Sequence, residues 1–162
     1  MNPLTEMIEG ATDSKWSHCG IVVRDHREWK VLEAIGPVKT TDLDEWINRS
    51  RENRFSVFRF RSEDLKYIPQ FIESAQTYLG LPYDIQYEWD DSKIYCSELL
   101  YKAFDRVSGI KLGKMQKVEE LNWRPYEYLI RQLNQGKLPR ERELITPRAI
   151  TESSEVIQVY PE

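Results

Sequence analysis

Cysteine and histidine each occur only twice in the 162 residues. Two cysteines are too few to staple a small secreted fold. Two histidines leave little for a metal centre, and His18, Cys19, His26 and Cys96 show neither C-x-x-C nor H-x-x-x-H spacing. Glycine is sparse, at seven residues, and no Gly-rich phosphate loop, G-x-S-x-G or H-E-x-x-H motif occurs. No apolar run approaches the ~20 residues that cross a bilayer. Positive charge is not in excess either. The net charge is −4, which argues against a general nucleic-acid binder. Met1 is followed by neither a charged n-region nor a long apolar h-region, so no signal peptide is expected in this chain. What remains is 40 % hydrophobic and 12 % aromatic, enough for a core, and the length suits one domain.

Asn2-Pro3 can cap a short helix whose Leu4, Met7 and Ile8 share a face. Ser17–Arg24 and Trp29–Ile35 read as two strands joined by the polar turn Asp25-His26-Arg27, an antiparallel hairpin ended by Gly36-Pro37. Asp42 and Glu45 fit a capping box for a helix carrying Leu43, Trp46 and Ile47. Arg54–Phe60 is a further strand. Helical spacing over Pro69–Leu79, Ser97–Val107 and Pro125–Gln135 predicts three helices, each followed by a glycine. Leu81–Asp91 is an acidic, aromatic loop, and Glu143–Thr146 and Val156–Tyr160 are short late strands. The expected class is α+β, with antiparallel strands packed against helices.

Cys96 stands directly before a helix, where free N–H groups and the dipole favour an anion and bias a thiol toward thiolate. A small buried hydrophobe at a helix start is the plain alternative. A thiol nucleophile needs a base that titrates near neutrality. His26 sits in a polar turn. His18 lies on an apolar strand beside Gly20, which leaves room for close approach, although a hydrogen-bonded core histidine would look the same. A tight turn near Asp25-His26 gives a pairing sum of about 51 and sets Glu33 opposite His18. There it either orients the imidazole as third member of a Cys-His-acid set or lies on a solvent-facing edge. Cys19, one residue from His18, is expected on the other strand face and in the core.

Taken together, His18-Cys19-Gly20, Val31-Leu32-Glu33-Ala34, Leu81-Pro82-Tyr83-Asp84 and Tyr95-Cys96-Ser97-Glu98-Leu99 resemble the YiiX-like proteins. These are circularly permuted papain-fold hydrolases of the NlpC/P60 superfamily, in which the His strand precedes the Cys helix. The resemblance spans about Thr12 to Leu100 and more loosely the tail to Tyr160. It implies Cys96 as nucleophile, His18 as base and Glu33 as the orienting residue. It also implies Tyr83 as a substrate-facing tyrosine, with Tyr95 a possible second wall. Such proteins usually begin with a strand reading like G-D-I-I-F. This chain starts within the helix that follows, which bears on edge pairing more than on chemistry.

The expected activity is a cysteine amidase or peptidase acting on a cell-wall-type peptide or an N-acyl amide, with no cofactor. The backbone N–H of Cys96 would meet the oxyanion. The alternatives are a lipid-directed acyltransferase or thioesterase with the same three residues, and a ligand-binding module without turnover. The resemblance allows a cell-envelope or periplasmic place, or the cytoplasm. Tyr83, Asp84, Tyr87, Glu88, Trp89, Asp90 and Asp91 suggest a pocket for a cationic group next to the scissile amide, with Asp84 among the substrate contacts.

Overall fold

The computed structural model describes residues 2–161. Helix α1 (Pro3–Ala11) opens as its sequence dictates: the Asn2 side chain accepts from Leu4 N at 3.0 Å and Pro3 fills the first turn. Strands β1 (Ile21–Asp25), β2 (Glu28–Ala34) and β3 (Val38–Asp42) follow as one antiparallel sheet in the order β1-β2-β3. β3 was not expected. Its VKTTD buries Val38 and Thr41 and exposes Lys39, Thr40 and Asp42, so no two-residue alternation marks it, and Gly36-Pro37 turns the chain back onto β2.

The hairpin register differs from the expected one. Ile21 pairs with Leu32 and Asp25 with Glu28, so the turn is the two residues His26-Arg27, with His26 at φ 54°. The pairing sum is therefore 53. Offsets of two leave every side chain on its face, and Gly20, not His18, comes opposite Glu33. Ser17–Gly20 is extended chain outside the strand. A side chain at residue 20 would strike Val31 Cγ1 at 2.4 Å, so only glycine lets this stretch lie on β2.

The short helix α2 (Leu43–Asn48) starts at Asp42, but the Asp42 side chain makes no capping bond. The remaining strands are β4 (Val57–Phe60) paired with β7 (Val156–Tyr160), and β5 (Gln116–Lys117) paired with β6 (Glu143–Leu144). Three helices are longer or later than these: α3 (Ile68–Gln76), α4 (Cys96–Ser108) and α5 (Glu127–Leu133), with α6 (Pro147–Thr151) near the end. Arg54–Ser56 and Ile145-Thr146 are not strand, and Pro125 lies in a 3₁₀ turn ahead of α5. The architecture is α+β, as expected.

Two apolar clusters hold it together. In the larger, α4 sends Leu99, Ala103 and Phe104 against β2 and α3, and Phe104 stacks on Phe60 at 4.5 Å and meets Phe71 edge-on. In the smaller, Met7 of α1 meets Val118, Trp123 and Ile130. Among the described residues no helix is long and apolar enough to cross a membrane.

Candidate active site

The loop before α4 delivers Cys96 with little freedom. Tyr95 Oη accepts from Ile145 N at 3.1 Å, and Ser97 Oγ donates to Ile145 O at 2.9 Å. The residues flanking Cys96 thus grip both backbone groups of one neighbour. Glu98 Oε2 accepts from Tyr95 N at 3.2 Å and closes the helix start. Cys96 is the first residue of α4, so its thiol meets the positive end of that helix.

His18 and Cys19 both reach Cys96. His18 Nε2 lies 2.6 Å from Glu33 Oε2, which leaves Nδ1 as the nitrogen for the sulfur. Glu33 is fully buried, and its other oxygen, Oε1, accepts from Thr41 at 2.6 Å and from Arg49 at 2.5 Å. The Trp46 ring stands 6.3 Å from the imidazole, centroid to centroid. A diagonal reach across the hairpin, rather than a direct opposition, joins His18 to Glu33.

The charges follow from this geometry. Burial would push Glu33 up, but bonds from His18, Thr41 and Arg49 hold it at about 2. Burial would push His18 down, but its bonds to Cys96 and Glu33 outweigh that and raise it to about 9. Cys96 is drawn well below an ordinary thiol by a bond from Cys19 and, against the cost of burial, by His18. Cys19 is pushed up by the same bond to Cys96 and by burial. These directions favour a thiolate beside an imidazolium, with a carboxylate behind the ring.

Several expected residues stand elsewhere. Cys19 is half-buried at the edge of the core and close enough to Cys96 to shift its thiol, because residues 17–20 lie outside the strand alternation. Asp84 is fully buried and accepts from Gln86 N and Glu88 N, with Lys93 Nζ at 3.2 Å. It folds the loop and offers no surface to a ligand. Tyr95 is likewise fully buried on Ile145. Tyr83 does border the site: its hydroxyl is 3.4 Å from that of Tyr87, and burial beside the Cys96 charge pushes its phenol up. The acids of the loop are matched internally, Glu88 by Lys93 and Arg142 and Asp91 by Lys102, so a cationic pocket is not formed there.

Two residues at the site had drawn no attention in the sequence, Thr41 and Arg49, while Trp46 had been placed only on a helix face and Tyr87 only in the acidic, aromatic loop. Tyr87 stands at a φ of 56°, which is costly for a non-glycine residue.

A narrow cavity of about 80 Å³ runs from Cys96 between α1 and α5. Met7, Ala11, Val118, Trp123, Ile130 and Leu144 line it together with Tyr87, so its wall is almost wholly apolar. Cys96 itself is only 1 % exposed, and the His18 side chain is 27 % exposed.

A buried cysteine thus opens α4, and His18, from the extended chain before β1, is bonded to the buried Glu33 of β2. The chain belongs to the permuted papain-like amidases of the YaeF/YiiX, C92 family, whose profile matches residues 2–160. It is 29 % identical over 161 residues to the uncharacterized protein YiiX of Escherichia coli K12, covering 98 % of this chain and 80 % of that one. The fold is similar, at a TM-score of 0.91 and 29 % identity, to the crystal structure of metalloprotein yiiX from E. coli O157:H7, over 97 % of this chain and 89 % of that one. Among the described residues here, no group of three or more His, Cys, Asp or Glu side chains could hold a metal ion. Glu33 and His18 Nε2 are already committed to each other and to Thr41 and Arg49.

Proposed function

We propose that this amidase works through Cys96, His18 and Glu33, and that it cleaves an amide carrying an apolar acyl group. The observation that carries the reading is the 2.6 Å contact of His18 Nε2 with Glu33 Oε2, with Cys96 at the start of α4 and among the residues that line the apolar cavity. The Cys96 thiolate attacks the carbonyl carbon. The backbone N–H of Cys96 at the start of α4 donates to the oxyanion. His18 gives its Nδ1 proton to the leaving amine, the C–N bond breaks, and an acyl-thioester remains. His18 then takes a proton from water, hydroxide adds to the thioester, and the acid leaves as the thiolate re-forms. Glu33 keeps the ring in the required tautomer throughout.

The acyl chain would lie in the cavity. At ~0.8 kcal/mol per buried methylene, each added carbon should raise kcat/KM roughly fourfold until the cavity is full. The test is a series of N-acyl amides of increasing chain length beside dipeptide amides with a free amine, with intact-mass detection of acylated Cys96. Narrowing the cavity by Ala11→Leu should penalise long chains and spare short ones. Preference for the free-amine amides, with no dependence on acyl length, would overturn the apolar-acyl reading. A second reading, a thioesterase or acyltransferase with the same three residues, is favoured by the same apolar wall. It prevails if acyl esters or thioesters outpace every amide of equal chain length.

A further inference from the structure

Glu33 is fully buried, and burial without partners would cost a carboxylate its charge. Three side chains meet it, divided between its two oxygens. Among the described residues, Oε2 meets His18 alone. Oε1 takes Thr41 Oγ1 at 2.6 Å, from β3, and Arg49 Nη2 at 2.5 Å, from the residue that ends α2. Arg49 is the fixed positive charge in contact with it. The remaining titratable groups nearby are Cys19 and Cys96, beyond the imidazole, and Lys39, its partner across the β2–β3 ladder, which is exposed.

We propose that Arg49 is a positioning residue for the reaction: with Thr41 it pins Oε1, so that an ionised Glu33 presents Oε2 alone to His18. The proposal rests on the roles given above to Glu33 and His18. A guanidinium cannot lose its proton at any working pH, so it holds the carboxylate charged where the imidazole by itself would not. The bond also decides geometry. Two donors on one oxygen fix the carboxylate plane, and the free oxygen is then aimed at the ring. The short helix α2 approaches the imidazole a second time through Trp46, whose ring lies 6.3 Å from it at a tilt of 36°.

The test needs no substrate. The rate at which iodoacetamide alkylates Cys96, followed on its peptide by mass spectrometry, reports the thiolate fraction as a function of pH. In Arg49→Met the stem is kept and the charge is lost. Glu33 becomes easier to protonate, the imidazolium loses its partner, and the acid limb of Cys96 alkylation should move up by about one pH unit. Arg49→Lys restores the charge and should bring the limb most of the way back. Glu33→Gln should move it at least as far as Arg49→Met. A thermal melt of each variant separates these shifts from lost stability. An acid limb left in place by Arg49→Met but moved by Glu33→Gln overturns the role of Arg49 alone. A limb moved by neither overturns the Glu33 reading and this proposal with it. Should Arg49→Met fail to fold, Thr41→Val removes the other donor to Oε1 and must move the limb in the same direction, or the proposal fails.

Discussion

Replacing Glu33 by glutamine changes one atom and should disable His18. The amide oxygen stays where Thr41 and Arg49 donate, on the Oε1 side. The NH₂ group then points at His18 Nε2, previously 2.6 Å from a carboxylate oxygen. An amide NH₂ only donates, so the neutral ring must carry its proton on Nδ1, the nitrogen that faces Cys96. The base is thereby in the wrong tautomer. The charge is lost as well. The rise of His18 from 6.5 to about 9 corresponds to about 3 kcal/mol of preference for imidazolium, shared between Cys96 and Glu33. The matching change in a serine protease lowers kcat by about 10⁴. A thiol is more acidic than a hydroxyl and needs less help, so a loss of roughly 10²–10³ in kcat is expected, with KM little changed. Turnover of an N-acyl amide gives kcat, and a ¹⁵N titration of the two imidazoles gives the cause. His26, with a side chain 96 % exposed, is the internal reference. The His18 titration should fall by at least about one unit. A kcat within about threefold of wild type, with His18 titrating where it did before, would refute the reasoning.

Three further outcomes are expected. Iodoacetamide near pH 6.5 should alkylate Cys96 well before Cys19, since their shared bond lowers one thiol and raises the other; faster labelling of Cys19 would reverse the assignment. Glu33, held down at about 2, contributes stability that is present above its unfolded value of 4.5 and is lost as pH falls toward 2. Urea unfolding should therefore show wild type losing about 3 kcal/mol more than Glu33→Gln between pH 5 and 2, and parallel curves would contradict it. At Gly113, with φ +90°, an added Cβ would sit 2.4 Å from Ala149 O, so Gly113→Ala should cost about 3 kcal/mol and lower Tm by roughly 6–12 °C; a change under about 2 °C would mean the backbone yields freely.

Much of the site was legible because its strongest signals are local. Cys96 before SELLYKAF needed only helical periodicity and the helix dipole. His18 and Glu33 needed a hairpin, and the error of two in its register did no harm because His18, in extended chain just before β1, still reaches the Glu33 carboxylate diagonally. A one-residue turn error would have sent Glu33 to the other face. Arg49 and Thr41 were not legible. Arg49 ends a short helix with no fully buried residue and resembles any solvated arginine, and Thr41 lies in a polar strand hidden behind Gly36-Pro37. Asp84 and Tyr95 misled for a related reason. Tyr95 stands beside Cys96 in the chain and Asp84 in the loop that leads to it, but each accepts from backbone N–H groups, and sequence does not distinguish a residue that shapes a loop from one that meets a ligand.

His18, Glu33, Thr41 and Arg49 all fall within residues 18–49, a continuous stretch that folds on itself as β1, β2, β3 and α2. The sulfur comes from α4, which joins that stretch through the core around Leu32 and Leu99. Between the two lies the exposed turn Arg51–Asn53, with Glu52 and Asn53 both at positive φ. A protease cut there divides the molecule into one fragment with His18, Glu33 and Arg49 and another with Cys96. On the roles proposed above neither fragment alone would activate Cys96, so the reactivity regained on mixing them reads out how tightly the sheet and the helix recognise each other.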